Sequence, residues 1–243
     1  MITVSIVSHN HGNLIRKLIL QLIKFHQVSK IIITLNIPEK IKFIRSKKIK
    51  LIINKKKKGF GSNHNQAFKF CKTKFFCVLN PDIIFVNNPF NKLISKINIS
   101  KASLIAPLVL NKNGKIEDSF RYFPTFFSIL KKVIFNNSGT YKIKKNDIYP
   151  EWVAGMFMLF VSKKFNLING FDNKYFIYYE DVDICARLWK KKFKIIIDTS
   201  SKVIHDARRD SRKKLVYFYK HLKSMFRYFL THYYRLPKTN VQK

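Results

Sequence analysis

Hydrophobic and polar positions fall into blocks along the chain, and the length of each block predicts an element. Ile2 to Val7 is an apolar run broken only by Thr3 and Ser5; it reads as a buried strand. The run stops at the polar turn Ser8-His9-Asn10-His11-Gly12-Asn13, after which Leu14, Leu18, Leu22 and Phe25 recur at helical spacing. Lys30 to Leu35 and Lys50 to Ile53 predict two further strands. Ser62 to Lys72, behind Gly59-Phe60-Gly61, predict a helix, and Phe75 to Leu79 a strand that runs into Asn80-Pro81-Asp82. This β-α-β-(β)-α-β order implies an α/β fold with a mostly parallel central sheet and helices on both faces.

The second half continues the alternation less regularly. Leu104 to Leu110 predict a strand, with a turn at Asn111-Lys112-Asn113-Gly114. From Phe120 to Pro150 the sequence is aromatic, basic and Asn-rich, and reads as a mobile loop or short helices. Trp152 to Val161 predict one core strand, Asp181 to Lys191 a helix, and Ile195 to Ile197 and Val203-Ile204 two short strands ahead of His205. No internal repeat is visible.

Charge narrows the function classes. The chain has 48 Lys and Arg against 13 Asp and Glu, a formal net charge of +35, with 47% hydrophobic residues. The apolar content argues for a packed core. A charge of this size draws nucleic acid through its phosphates, and an anionic membrane surface at about 1 kcal/mol per basic residue near the headgroups. It also follows from a composition rich in Lys, Ile, Asn and Phe, all encoded by A/T-rich codons; whatever its origin, it acts physically. Only nine of the basic residues are Arg, so no sequence-specific nucleic-acid partner is expected. Cys71, Cys77 and Cys185 form no CxxC pair and read as small core residues of a reducing compartment. The chain opens on a strand without a basic leader, and Trp152 to Val161 is too short to cross a bilayer, so a cytoplasmic, peripheral protein is expected.

Among so few acids, two placements stand out. Asp82 ends a strand, and Asn80, two positions earlier, projects to the same side. Together they read either as a turn cap or as oxygen ligands for a divalent cation that also binds substrate phosphates. Glu180-Asp181-Val182-Asp183 opens a helix, where acids are favoured by the dipole. Asp183 can pair with Arg187 one turn on; Asp181 has no such partner and is left either as a capping acid or as a general base. Gly59-Phe60-Gly61 serves an ordinary turn or lets backbone approach a phosphate at the helix amino end. The polar run Ser62-Asn63-His64-Asn65-Gln66 exceeds what capping requires. His205, next to Asp206, reads as a surface histidine or as a contact to a metal or diphosphate.

From Lys213 to Arg235, Leu215, Phe218, Leu222, Met225, Phe226, Phe229 and Tyr233 recur at helical intervals, interspersed with Lys213, Lys214, Lys220, Lys223, Arg227 and Arg235. Such a helix lies in a membrane interface or docks on the core with a solvated basic back. The interface reading is the one expected here.

Four segments occur in order: Ser5-Ile6-Val7-Ser8-His9-Asn10, Gly59-Phe60-Gly61-Ser62-Asn63-His64-Asn65-Gln66-Ala67, Leu79-Asn80-Pro81-Asp82, and Gly170-Phe171-Asp172 followed by Tyr178-Tyr179-Glu180-Asp181-Val182-Asp183. Together they resemble the family 2 inverting glycosyltransferases, above all bacterial rhamnosyltransferase-like members that build surface polysaccharides. The resemblance runs over roughly residues 2 to 205. It implies one glycosyltransferase A-type domain over residues 1–212, with a nucleotide-sugar half at 1–98 and an acceptor half at 99–212, followed by a basic amphipathic helix and tail at 213–243. It further implies a dTDP- or UDP-sugar donor, a lipid-linked saccharide acceptor and Mg²⁺ or Mn²⁺. By resemblance, Ser8 and Asn10 lie near the nucleotide, Asn36, Gly59, Gly61, Asn65, Asn80 and Glu180 bind substrate, and Asp82 lies in the metal and diphosphate motif. Gly155 falls in the Val-Ala-Gly segment that lines the acceptor side, Asp181 matches the catalytic base, and His205 a position that often faces the metal or diphosphate. Asn36 stands beside the position where relatives often place an acid on the base or ribose, and Lys57 replaces an Asn before Gly-Phe-Gly. A non-enzymatic nucleic-acid-binding protein using the high positive charge is the alternative of another class.

Overall fold

The computed structural model describes residues 1–39, 44–135, 141, 147–206, 215–232, 235–237 and 239. An eight-stranded sheet runs through the molecule in the order β3-β2-β1-β4-β9-β6-β10-β5. Its strands are β1 (Ile2–Ser8), β2 (Val28–Leu35), β3 (Ile49–Ile53), β4 (Phe75–Leu79), β5 (Ile83–Ile84), β6 (Leu104–Leu110), β9 (Phe157–Val161) and β10 (Ile195–His205). The pairs β1–β2, β2–β3, β1–β4 and β6–β10 are parallel, whereas β9 is antiparallel to both β4 and β6, and β5 is antiparallel to β10. The α/β, mostly parallel sheet expected from the pattern is therefore present, with β9 reversing direction at its centre.

Alternate residues of the strands feed two separate cores, one on each face. Ile31, Ile33, Phe75, Cys77 and Leu159 pack with α1 (Gly12–Leu22) and α3 (Phe90–Ser100). Ile32, Phe76, Val78, Met158 and Phe160 pack with α2 (Phe60–Phe68), α5 (Ser162–Leu167), α6 (Glu180–Lys190) and α7 (Leu215–His232). Each fully buried Ile, Leu or Phe contributes roughly 1.5–3 kcal/mol, so both faces are firmly covered.

Three elements differ from the sequence reading. Trp152 to Val161 is not one strand. β8 (Trp152–Val153) pairs with β7 (Phe120–Arg121) in a small second sheet, and Ala154-Gly155-Met156 separates it from β9. The run is apolar throughout because both pieces are buried, so composition alone hides the break. Ile195 to Ile197 and Val203-Ile204 belong to one strand whose register shifts between Asp198 and Lys202. The pattern assigned nothing to the stretch holding α3, although Phe90, Leu93 and Ile97 are its buried stripe at helical spacing behind Pro89. The aromatic, basic stretch from Phe120 holds β7 and α4 (Phe126–Phe135).

Helix α7 docks on the body along one side and leaves apolar side chains exposed on the other. Ser224, Tyr228 and His232 are buried against the body, while Leu215, Phe218, Tyr219, Phe226 and Leu230 stand in solvent at 62–87% exposure. Lys213, Lys214 and Tyr233 lie outside the described residues.

Candidate active site

Two cavities stand out, the first of them at the carboxyl end of β4. The first, of about 280 Å³, is lined by His9, Lys57, His64, Asn80 and Asp82, with Phe176 and Ile177 closing one side. The strand-to-turn step Leu79-Asn80-Pro81-Asp82 puts Asp82 at the sheet edge, where ligands bind in open α/β sheets. One oxygen of Asp82 is buried without a hydrogen bond and faces His205 Nε2 at 3.3 Å. The other nitrogen of His205, Nδ1, lies 2.7 Å from Glu117 Oε2. Burial works against protonation of His205, but the two carboxylates outweigh it and hold its pKa above the ordinary value. His64 is buried, with Nδ1 at 2.8 Å from the Ser5 hydroxyl, and burial pulls its pKa down to about 3. His9 falls to about 4 through burial and then the charge of Lys57. Both imidazoles are therefore neutral at pH 7, and the cavity's positive charge comes from its lysines.

An orphaned carboxylate oxygen opposite an imidazole nitrogen fits a divalent cation whose remaining positions are taken by phosphate oxygens and water. Among the described residues no group of three or more His, Cys, Asp or Glu is arranged to hold an ion, so protein alone would not complete the shell.

The second cavity, about 560 Å³, is lined by Arg121, Tyr122, Trp152, Tyr179, Glu180 and Asp181, with α4 and α7 supplying Ser128, Ile129, His221 and Met225. Asp181 Oδ1 accepts from the Val182 N–H at 2.9 Å and Oδ2 from the Gly155 N–H at 3.2 Å. Glu180 beside it is buried and leaves Oε2 without a partner. Burial, then the Asp181 charge, pushes the Glu180 pKa up to about 8. Burial raises Asp181 too, but its backbone N–H donors oppose the shift. Burial thus raises both adjacent acids, Glu180 with its neighbour's charge added and Asp181 against the pull of its backbone donors. Asp183, on the far side of the helix, is held by Arg187 at 2.8 Å and His232 at 2.9 Å.

A short seam joins the cavities. The Gly155 N–H reaches Asp181, and the carbonyl of the next residue, Met156, accepts from the Asn80 N–H at 2.9 Å. A strap on the other side does the same: Phe176 and Ile177 wall the first cavity, Tyr178 and Tyr179 the second. Tyr178 and Tyr179 sit at φ 71° and 66°, a left-handed pair costing about 1–3 kcal/mol per residue. Helix α7 holds this strap: Ser224 Oγ donates to the Ile177 carbonyl at 2.8 Å, and Tyr228 packs its ring on Tyr179 at 5.3 Å.

The glycosyl transferase family 2 model matches residues 3–160, more than half of the chain, and that of the N-terminal domain of galactosyltransferase matches residues 137–208. The chain belongs to glycosyl transferase family 2. Rhamnosyltransferase WbbL of Escherichia coli (strain K12) is 32% identical over 255 positions, covering 94% of this chain and 92% of that protein, so this family 2 chain is rhamnosyltransferase-like. An N-acetylglucosaminyl-diphospho-decaprenol L-rhamnosyltransferase of Mycobacterium tuberculosis (strain ATCC 25618 / H37Rv) is 26% identical over 139 positions, 53% of this chain and 45% of that one. In fold, GalNAc-T7 with UDP, GalNAc and Mn²⁺ superposes with a TM-score of 0.72 at 17% identity, covering 97% of this chain and 48% of that one. The Pyrobaculum calidifontis mannosyltransferase PcManGT with GDP-Man and Mn²⁺ gives 0.63 at 10% identity, covering 95% and 64%. Both are glycosyltransferases, and the expected A-type fold is the one this family 2 chain adopts.

Within the family 2 domain the expected residues take different positions. Asn80 and Asp82 line the first cavity, Glu180 and Asp181 the second, and Gly155 lies on the seam between them. Ser8 is buried and accepts from the His11 N–H at 3.3 Å, while Asn10 is exposed in the left-handed region at φ 64°. Asn36 bonds inward, to the Lys58 N–H and carbonyl at 2.8 Å each and to Asn54 at 2.8 Å, which fixes the Lys57-Lys58 wall. Asn65 likewise clamps the Phe171 backbone through both ends of its amide. Gly59 and Gly61 face protein rather than an open phosphate site: a Cβ would meet the Phe176 carbonyl oxygen at 2.6 Å and the Phe171 Cβ at 2.5 Å. What lines the cavity from this segment is Lys57, Lys58, Phe60 and His64. Sequence reasoning missed Glu117, Arg121 and Trp152. The signal for Glu117 was its place just past the Asn111–Gly114 turn, which folds it back over β6.

Proposed function

We propose that this chain transfers a rhamnose-like sugar from a dTDP- or UDP-sugar to a hydroxyl of a lipid-linked or polysaccharide acceptor, with inversion at the anomeric carbon. The seam carries the reading: one two-residue step ties the proposed base to the strand end bearing Asn80 and Asp82. The donor diphosphate occupies the first cavity beside Lys57, Asp82 and His205. The acceptor occupies the aromatic second cavity. Asp181 takes the proton of the acceptor hydroxyl as its oxygen bonds to the anomeric carbon, and the bond from that carbon to the diphosphate oxygen breaks. Asp82 and His205 would hold Mg²⁺ or Mn²⁺, which when bound would supply charge compensation for the leaving diphosphate. Ser8, Asn10, Asn36 and Asn65 serve on the donor side, the last two by fixing its walls.

The relatives named as rhamnosyltransferases support the sugar, and the decaprenol-diphosphate relative supports a lipid-linked acceptor. The surface supports it as well. The second cavity is lined by both α4 and α7, and these helices expose Phe126, Phe127, Phe218 and Phe226. Neither carries an acid. Apolar side chains among cations suit the interface of an anionic bilayer, which would make the protein peripheral on the cytoplasmic face of the cell membrane. Among the described residues no helix is long and apolar enough to cross a membrane.

The test is transfer from dTDP-rhamnose and UDP-sugars to a prenyl-diphosphate-linked acceptor with Mn²⁺, reading the product's anomeric configuration by NMR. Inverted product is expected; a retained configuration overturns the mechanism. No transfer, together with tight, steeply salt-dependent nucleic-acid binding that ignores Asp82 and Asp181, establishes the nucleic-acid alternative instead.

A further inference from the structure

Glu117 takes no part in the steps above, yet its position is tightly specified. Past β6 the chain turns at Asn111–Gly114, where the Asn111 carboxamide oxygen accepts from the N–H groups of Asn113 and Lys115 at 2.9 and 3.0 Å. Leu110 then bridges Ile116, and the Glu117 N–H donates back to the Val109 carbonyl at 2.8 Å. This hairpin delivers a side chain that is only 13% exposed to Nδ1 of His205, itself 10% exposed. His205 ends β10 opposite Ile83, the residue after Asp82, so its Nε2 is turned to the Asp82 carboxylate. Lys112 reaches Asp206 at 2.8 Å and ties the hairpin to the next residue along. A surface ion pair needs none of this construction.

We propose that Glu117 is a positioning residue for the divalent cation: by accepting the Nδ1–H of His205 it fixes that tautomer and turns the Nε2 lone pair towards the ion shared with Asp82. A carboxylate on the far nitrogen of a metal-binding histidine is the general device for orienting such a ligand. The inference rests on the metal-assisted reading of the first cavity, and the two fail separately.

The experiment titrates Mn²⁺ into the full chain with dTDP or UDP present, following the free-ion signal by electron paramagnetic resonance. The chains compared are the wild type, Asp82→Ala, Glu117→Ala and Glu117→Gln, with melting temperature as a control on folding. Wild type should bind, and Asp82→Ala should lose most of that affinity. Glu117→Ala should weaken binding by about 10–100-fold. Glu117→Gln should retain most of it, because its amide oxygen still accepts the Nδ1–H. In the Mg²⁺-loaded wild type, ¹⁵N NMR should show His205 protonated on Nδ1. Unchanged Mn²⁺ affinity in Glu117→Ala, or a proton on Nε2, overturns the positioning role and leaves the metal reading standing. Glu117→Gln as weak as Asp82→Ala makes Glu117 a direct ligand and also overturns it. A wild type that binds no Mn²⁺ removes the metal reading and this role together.

Discussion

The two cavities meet at one seam and are built on opposite principles. The first is a cationic slot whose buried histidines are driven neutral, so its charge sits in Lys57 and Lys58 and in one under-bonded carboxylate. The second is an aromatic chamber in a strongly basic protein, yet it holds two adjacent acids whose pKa values are both raised. A slot rich in positive charge suits a diphosphate. A chamber that makes an acid reluctant to ionise gives a better base, because the group is poised nearer the working pH. The contrast teaches that net charge says little about the chemistry; local burial decides it.

The largest way to break this contrast is to remove the base without touching the slot. Asp181→Asn keeps the shape and can still accept from the Gly155 N–H, but it cannot take a proton. Turnover should fall by about 10²–10⁴-fold, the ordinary contribution of a general base. Donor affinity measured by calorimetry should stay within about twofold, since Asp181 does not line the first cavity. Near-normal turnover would show that the chamber's acids serve structure alone.

Both poles of the contrast were legible in the sequence, because each sits where an apolar run meets acid. Asp82 follows the strand Phe75 to Leu79, and Asp181 lies in the first turn of a helix where Asp183, on the far side, has its own partners. Strand-length apolar blocks gave most of the sheet for the same reason. The connections between poles were not legible. Gly155 looks like part of a strand until the structure shows its N–H on Asp181, and Asn36 and Asn65 look like ligand contacts until their amides are seen spent on backbone. Side chains that fix walls and side chains that touch ligand have the same composition; only their partners, far off in sequence, separate them. Arg121 and Trp152 were invisible because their cavity is assembled from separate segments spread between Arg121 and Met225.

A middle-sized effect should come from the strap that walls both cavities. In Gly59→Ala the added carbon would sit 2.6 Å from the Phe176 carbonyl oxygen, and backbone cannot swing aside as a side-chain tip can. Overpacking of this kind costs about 1–3 kcal/mol, and a 1 kcal/mol loss lowers Tm by roughly 2–4 °C in a domain of this size. Because Phe176 and Tyr179 belong to different cavities, donor and acceptor affinity should both weaken. A variant that melts normally, or that loses only one affinity, would show that the strap does not couple the two sites.

The smallest expected effect is the most selective, since it separates the two acids of the chamber. Glu180 in the folded protein has its pKa pushed up to about 8 from an ordinary 4.5, chiefly by burial. Below 4.5 it is protonated whether folded or not, and its contribution to stability is fully present. As pH rises further the unfolded chain releases the proton first, so that contribution is lost progressively until the folded group ionises near 8. Glu180→Gln has no such proton. Its melting temperature relative to wild type should therefore climb between pH 4.5 and about 8 and then level off. A melting difference that stays constant with pH would mean that Glu180 is ionised throughout, and that the two carboxylates share the chamber as equals.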